Sequence, residues 1–319
     1  MHLKSLFRIS ITEFDIISVV KKIELRRIII FLAFTFVFTY AWTIFLIWPR
    51  VLGKDAAALT HEETAVNALL TAAMMFFPAV GVLLTRLVTR EGFKNSMLRL
   101  NLRGNVRYYL VACFAPLVLT LIGTVAYYIC FPSDFSLAEF RGADMTKIGM
   151  MLVAIVLVIL SPFLNFIPAL GEEWGWRGYL LPKVAERMKF LPATLLTGFI
   201  WGIWHAPIVV AGHNYGFGYS GYPWLGIVAM CIFCIVAGIL LSYLTLRTKS
   251  CLPAALAHGA INGTAALGML FYNYPAYLES SSLELVNRFV GPMPTGIIGA
   301  IAYIAVAVWI VIKVCKEKN

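Results

Sequence analysis

The stretch MMLVAIVLVILSPFLNFIPALGEEWGWRGYL, residues 150–180, is apolar and long, yet it carries three charged residues near its end. A helix needs about 20 apolar residues to cross a bilayer. Glu172, Glu173 and Arg177 stand where such a helix would carry leucines. Ionisable side chains inside a membrane are costly, and they are usually paired or face a water-filled cavity, so these three residues are candidates for function.

The whole chain has the composition of an integral membrane protein. Of its 319 residues, 61% are hydrophobic and 13% are charged, whereas about 25% of the residues of a soluble domain are charged. The predicted fold is all-α and polytopic, with about eight transmembrane helices and an active site in an intramembrane cavity. The predicted spans lie near residues 28–48, 65–86, 108–131, 148–170 or beyond, 191–212, 225–246, 252–272 and 292–312.

The net charge of +10 reflects membrane topology and does not indicate nucleic-acid binding. When the connections between predicted spans are assigned alternately to two sides, 21 of the 26 Lys and Arg residues fall on one side. Basic residues concentrate on the cytoplasmic side of membrane proteins, which predicts that both termini are cytoplasmic and favours an even number of spans. The other side carries Arg50, Lys54, Arg141, Lys147 and Arg288.

Residues 1–27 mix apolar and charged side chains at helical spacing, which predicts a retained amphipathic segment on the cytoplasmic membrane surface. Residues 28–319 form the predicted transmembrane domain, and the core that carries the polar residues is predicted at about 148–272. The polar stretches 132–147 and 273–291 are predicted loops. The six cysteines are predicted to be small packing residues, because their spacing fits no zinc ribbon and no disulfide framework.

Helical spacing groups the charged residues of the fourth span. Glu173 and Arg177 are four residues apart and can pair on one helix face, which leaves Glu172 free to face a cavity. If the helix continues to Leu181 and ends at Pro182, the glutamates lie about 15 Å inside the membrane. Their depth then matches that of the polar residues on later spans.

Two later spans supply the remaining polar groups. His205 lies in FIWGIWHAP, and His258 and Asn262 are four residues apart in ALAHGAINGT, so they share a helix face. A single His or Asn in a membrane helix is often a structural hydrogen-bonding residue, and a Glu–Arg pair can be structural too. The number of ionisable groups on three helices favours a functional site.

Other polar residues receive no predicted role. Glu62 and Glu63 repeat the double glutamate but are predicted to lie in an outer loop, and His2, His61 and His213 fall outside the predicted membrane core. The tryptophans near the charged residues are predicted to be cavity walls or interfacial anchors.

The polar set is suited to hydrolysis. A carboxylate in a partly desolvated cavity can take a proton from water, and His or Asn donors can stabilise the oxyanion of a tetrahedral intermediate. Zinc or another divalent metal held by Glu172, His205 and His258, with water as the fourth ligand, is the alternative.

Three motifs in order resemble those of a known family. EEWGWR fits E-E-x-x-x-R, WGIWH fits F-x-x-x-H with Trp201 in place of Phe, and HGAIN fits H-x-x-x-N. Between about residues 170 and 265 the chain resembles the CPBP family of CAAX proteases and bacteriocin-processing enzymes, also called the Abi family, which includes the Ras-converting type of CAAX prenyl protease.

The resemblance implies a role for each residue. Glu172 would be the general base with help from His205, Glu173 and Arg177 would be an orienting pair, and His258 with Asn262 would stabilise the oxyanion. Members are often labelled metalloproteases, although such sites can also be interpreted as metal-free.

The resemblance also implies a substrate and a location. The substrate would be a peptide or a protein, prenylated or not, and the roles would be CAAX-type processing, peptide or bacteriocin maturation, or immunity. The cavity is expected to open toward the cytoplasmic side of a bacterial-type plasma membrane. Two alternatives stay open: a proton-coupled transporter or channel that uses the Glu and His cluster, and a non-catalytic scaffold.

Overall fold

The computed structural model describes residues 13–54, 59–141, 144–217, 219–273 and 289–317. This part of the chain is helical, and its β structure is one isolated bridge between Phe135 and Tyr272. The fold is therefore all-α, as predicted. The α-helices are α1 (Glu13–Trp42), α2 (Trp48–Val51), α3 (His61–Met74), α4 (Phe77–Val88), α5 (Val106–Cys130), α6 (Met145–Leu164), α7 (Phe166–Gly175), α8 (Leu181–Ala185), α9 (Phe190–Trp204), α10 (Ala206–Val210), α11 (Trp224–Thr248), α12 (Leu252–Thr264) and α13 (Ile301–Lys316).

Several of these helices join into longer membrane-spanning elements, because π turns at Thr43–Ile47 and Trp176–Leu180 continue the helical path. Within the described residues, six elements are long and apolar enough to cross a bilayer. They confirm a multi-pass membrane protein. The six are Ile23–Val51, His61–Val88, Val106–Cys130, Met145–Ala185, Trp224–Thr248 and Leu252–Phe271.

The fifth and eighth predicted spans correspond to shorter helices. Helix α9 has 15 residues and α13 has 16, so the total of eight crossings stays a prediction. Helix α1 runs without a break across residue 27, the predicted boundary of the surface segment. Residues 1–12, which include His2, and most of the predicted loop 273–291 lie outside the described part of the chain.

The predicted outer loop around Glu62 and Glu63 is wrong, because both residues lie in the first turn of α3. Thr60 caps this helix: its Oγ1 accepts from the Glu63 backbone N–H at 3.1 Å, and the Glu63 carboxylate accepts from the Thr60 N–H at 3.0 Å. This reciprocal pairing satisfies two backbone donors that a helix start leaves free. Glu63 also pairs with Lys54, so its charge has a structural explanation.

The fifth predicted span is not one continuous helix. Helix α9 ends at Trp204, and α10 begins after His205. Pro207 explains the break, since proline has no N–H to donate to the carbonyl four residues earlier. That carbonyl belongs to Ile203, and it accepts a hydrogen bond from Tyr40 Oη of α1 at 2.9 Å. His205 is thereby placed at a turn between two helices.

The fourth span also departs from the prediction, because Pro182 does not end it. The π turn Trp176–Leu180 leads directly into α8, and Pro182 occupies the first turn of that helix. The helical path continues past the proline, and the π turn replaces the regular i→i−4 pattern just before it. A wide π turn, a feature frequent at functional sites, therefore contains Arg177.

Each motif-bearing helix packs through a pair of glycines spaced four residues apart. In α7 a Cβ on Gly171 would lie 2.7 Å from the Met75 carbonyl oxygen, and in α9 a Cβ on Gly202 would lie 2.5 Å from Cys231 Cα. Small residues at this spacing let membrane helices approach closely. The three pairs are Gly171 and Gly175, Gly198 and Gly202, and Gly259 and Gly263.

The two ends of the helical bundle differ in their charged residues. At one end, here called the basic end, Lys183 Nζ lies 2.7 Å from Glu91 and also pairs with Glu24, while Arg27 Nε lies 3.7 Å from Glu91. The other end, here called the opposite end, contains the connections 52–60, 131–144 and 205–223. There Trp48 Nε1 donates to the Pro207 carbonyl at 2.8 Å.

Candidate active site

The predicted pair of Glu173 and Arg177 forms in the interior of the bundle. Arg177 Nη1 lies 3.0 Å from Glu173 Oε1, and both side chains are 0% exposed. The same carboxylate oxygen lies 2.9 Å from His258 Nδ1. Because an ionised carboxylate only accepts hydrogen bonds, His258 Nδ1 carries the proton in this contact. The result is a chain from Arg177 through Glu173 to His258, which fixes the orientation of the imidazole ring.

Glu172 has a hydrogen-bond partner outside that chain. Its Oε2 accepts a hydrogen bond from Trp201 Nε1 at 2.7 Å. The Trp201 ring also lies beneath Arg177, with 4.2 Å between the guanidinium carbon and the ring centroid. A cation over an aromatic face is stabilised by the ring quadrupole. Trp201 therefore separates the two charged groups and contacts both of them.

The imidazole of His205 is bonded to the last turn of α9. Its Nδ1 lies 2.9 Å from the Trp201 backbone oxygen, and since a carbonyl only accepts, Nδ1 donates and Nε2 is left for other partners. The rings of Trp201 and Trp204 pack against it at centroid distances of 5.7 and 4.7 Å. The break before Pro207 and these two rings fix the direction of the imidazole.

One cavity, here called the site cavity, collects most of the predicted residues. It has a volume of about 230 Å³. Glu172, His205, His258 and Asn262 all line it. Glu173 and Arg177 do not line it and lie behind His258, as an orienting pair would. Side chains from α3, α7, α9, α11 and α12 meet here, so the cavity exists only in the folded bundle.

The comparisons with known proteins match this part of the chain. Residues 150–264 match the family described as Type II CAAX prenyl endopeptidase, Rce1-like. The CPBP family, to which the three motifs point, includes this type. Over these residues the chain is similar to the CPBP family, in agreement with the three motifs.

A curated relative, CAAX prenyl protease 2 of Methanococcus maripaludis, is 25% identical to the chain over 175 residues. The similar region covers 54% of this chain and 60% of the relative. The chain therefore matches less than two thirds of the relative's length.

The donor atoms of the predicted ligand set do not form a closed metal site. Among the described residues, no group of three or more His, Cys, Asp and Glu side chains converges closely enough to hold a metal ion. His258 Nδ1 bonds to Glu173 and one oxygen of Glu172 accepts from Trp201, which leaves His258 Nε2 and the other oxygen of Glu172 for other partners. The described side chains therefore do not fit a zinc centre made of Glu172, His205 and His258.

His213 is a residue of the matched region, 150–264, that the sequence analysis missed. It lines the site cavity together with Glu172 and His205, and Asn214 lies beside it. Desolvation lowers the pKa of His213 to about 4, so its imidazole is uncharged at neutral pH. The signal available in the sequence was a second histidine eight residues after His205, beyond a proline that ends the helix.

The residues that line the site cavity show which end of the bundle it lies nearer to. The site cavity is lined by His213, Asn214 and Thr295, which belong to connections at the opposite end of the bundle. None of its described lining residues comes from the basic connections 89–105 or 186–189. The opening toward the cytoplasm stays a prediction, and the lining residues place the cavity nearer the opposite end than the basic end.

Proposed function

We propose that the protein is an intramembrane endopeptidase that hydrolyses a peptide bond with a water molecule activated by Glu172. The observation that carries this proposal is the lining of one cavity by a carboxylate, three imidazoles and two amides. These are the groups that peptide hydrolysis requires: a base, an oxyanion stabiliser and a proton donor. A file of polar groups across the membrane would favour proton transport, but these groups lie in a single cavity.

Hydrolysis begins with removal of a proton from water by Glu172. The hydroxide oxygen forms a bond to the peptide carbonyl carbon, and the carbonyl electrons move onto oxygen. His258 and Asn262 stabilise that negative charge, because Glu173 keeps the His258 ring oriented and favours a positive charge on it. When the C–N bond breaks, the proton held by Glu172 passes to the leaving amine. His205 assists by orienting the water through Nε2.

The substrate class follows from the comparison with the relative. That protein is named a CAAX prenyl protease, so the first substrate to test is a farnesylated CAAX peptide. Unmodified membrane peptides are the second class, in keeping with peptide or bacteriocin maturation. The basic end of the bundle, with both termini, is proposed to face the cytoplasm of a bacterial-type cell.

The first test is the removal of the proposed base. We expect Glu172→Gln to abolish cleavage of a farnesylated CAAX peptide, and of a library of plain membrane peptides, by the purified protein in detergent. The loss should be about 10²–10⁴-fold, the usual contribution of a general base. Glu62→Gln is the matched control, because Glu62 is an exposed glutamate at the start of α3 and its loss should leave cleavage unchanged.

A chelator added to the wild-type reaction should leave the cleavage rate unchanged, because the described donors do not converge on a metal ion. Thermal unfolding of Glu172→Gln must match that of the wild type for the comparison to count. Cleavage by Glu172→Gln at the wild-type rate would contradict the proposed base. A folded wild-type protein that cuts neither substrate set would contradict the endopeptidase itself.

A further inference from the structure

A second cavity lies beside the site cavity, toward the opposite end of the bundle. It has a volume of about 280 Å³. Thr71 and His213 line both cavities, so these two side chains form the wall between them. The second cavity also reaches Lys54, in the connection before α3, and Thr64, in the first turns of α3, which places it at the surface of the opposite end.

Polar atoms without partners line this route. The side-chain oxygen and nitrogen of Asn67, which lines the second cavity, are buried and have no hydrogen-bond partner among the described residues. Thr295 Oγ1, which lines the site cavity, is also buried and has no hydrogen-bond partner among the described residues. Buried polar groups nearly always have a partner, in the protein or in water. A hydrated passage, or the backbone of a bound peptide, would supply such partners here.

The connection after α4 covers the site on the side of the basic end. Trp174 Nε1, from the helix that carries the glutamates, donates to the Ser96 carbonyl at 3.0 Å. The backbone N–H of Cys251, just before α12, donates to the Met97 carbonyl at 2.8 Å. The connection after α4 is thus hydrogen-bonded across the two helices that hold Glu172 and His258, and it covers their basic end.

The geometry points to a site that takes its peptide substrate from the opposite end of the bundle, through the second cavity and past His213. Because the basic end carries most of the lysines and arginines, the opposite end faces the non-cytoplasmic side of the membrane. The substrate would then be a peptide segment exposed outside the cytoplasm, such as the juxtamembrane part of an exported peptide. This inference rests on the proposed hydrolysis, but the route itself can be measured separately.

The test compares two cysteine variants whose thiols lie at opposite ends of the bundle. Ala211→Cys introduces a thiol in the second cavity, and Ser96→Cys introduces one in the connection at the basic end. Both are made in a background in which the exposed native cysteines, Cys130 and Cys315, are serines. A charged, membrane-impermeant thiol reagent is added to intact cells or to inverted vesicles, and the labelling of each variant is followed by mass shift.

We expect the reagent to label Ala211→Cys in intact cells and Ser96→Cys only in inverted vesicles. Labelling of Ala211→Cys should also cause loss of peptide cleavage, whereas unlabelled Ala211→Cys should cleave. Labelling of Ala211→Cys only in inverted vesicles, or in neither preparation, would overturn the inference. So would full cleavage by the completely labelled Ala211→Cys protein.

The labelling pattern does not depend on catalysis, so failure of the proposed function is recognised separately. A protein that cuts no peptide can still show Ala211→Cys labelled from outside, and the endopeptidase proposal alone would then fail. If the protein cuts peptides but Ala211→Cys is labelled only from the cytoplasmic side, the endopeptidase proposal stands and the proposed route is wrong.

Discussion

At the scale of single residues, the candidate site depends on one carboxylate with two partners. Glu173 Oε1 contacts both Arg177 and His258. The sequence predicted the contact with Arg177, because a spacing of four residues defines neighbours on a helix. It did not predict the contact with His258, which comes from a helix about 85 residues later and depends on how α7 and α12 pack.

Replacing Glu173 by Gln should lower both stability and activity. The change leaves the Arg177 charge buried without its carboxylate, which costs about 3–5 kcal/mol, and it weakens the orientation of His258. The double variant Glu173→Gln, Arg177→Met removes the unpaired charge and should recover most of the stability without recovering activity. Thermal unfolding and single-turnover cleavage separate the two effects. A fully active Glu173→Gln protein would contradict the orienting role.

Trp201 is the position at which this chain departs from the second family motif, which usually has Phe there. The structure assigns its indole N–H to Glu172 and its ring to Arg177. Trp201→Phe should therefore keep cleavage within about tenfold, because losing one hydrogen bond costs about 1 kcal/mol, and the ring is retained. Trp201→Ala should lose far more. Steady-state cleavage rates check the pair, and equal losses in the two variants would show that the ring is unimportant.

At the scale of helices, the glycine pairs determine where the motif residues lie. Gly198 and Gly202 let α9 approach α11 so closely that added Cβ atoms would clash with the backbone of α11. His205 follows directly after this contact. The position of the imidazole therefore depends on the packing distance between α9 and α11, in addition to the local turn.

Gly202→Val should lower the thermal stability of the purified protein and reduce cleavage. Overpacking of a tight contact costs about 1–3 kcal/mol, and a displaced α9 would move His205. Gly149→Val is the matched control, since a Cβ at Gly149 in α6 meets no atom within 4 Å. If the two variants unfold at the same temperature, the close contact between α9 and α11 is not important for stability.

The helices show how far sequence reasoning reaches. Apolar length predicted the six long elements well, and the i,i+4 rule predicted which face of α7 and of α12 carries the polar groups. The break at His205 required weighing Pro207 against the apolar run around it, and the run alone suggested a single span. The glycine pairs were readable in the sequence, but their partners on α4, α6 and α11 were not, because they depend on tertiary packing.

At the scale of the whole molecule, the distribution of charge gives an orientation that can be measured. The short helices α9 and α13 are expected to cross the membrane with the six longer elements, which makes eight crossings and places both termini on one side. A fluorescent reporter that folds only in the cytoplasm should be active when fused after Asn319. An alkaline phosphatase, which is active only outside the cytoplasm, should be active when fused after Asn273.

The opposite pattern of reporter activity would invert the orientation, and activity of both reporters at the same position would contradict the assigned crossings. Neither outcome follows from the six long elements alone. Sequence hydropathy cannot decide whether a helix of 15 or 16 residues crosses the membrane, because such lengths lie just below the usual range.

Tyr40 and Trp48 lie outside the part of the chain that matches the family, yet they hold the two carbonyls on either side of His205. The residues that position His205 therefore extend beyond the residues that match the family model. A chimera that received only residues 150–264 from this protein would carry every motif but no native donors for the carbonyls of Ile203 and Pro207. Exchange of this core between relatives should succeed only when the first membrane-spanning element, Ile23–Val51, is transferred with it.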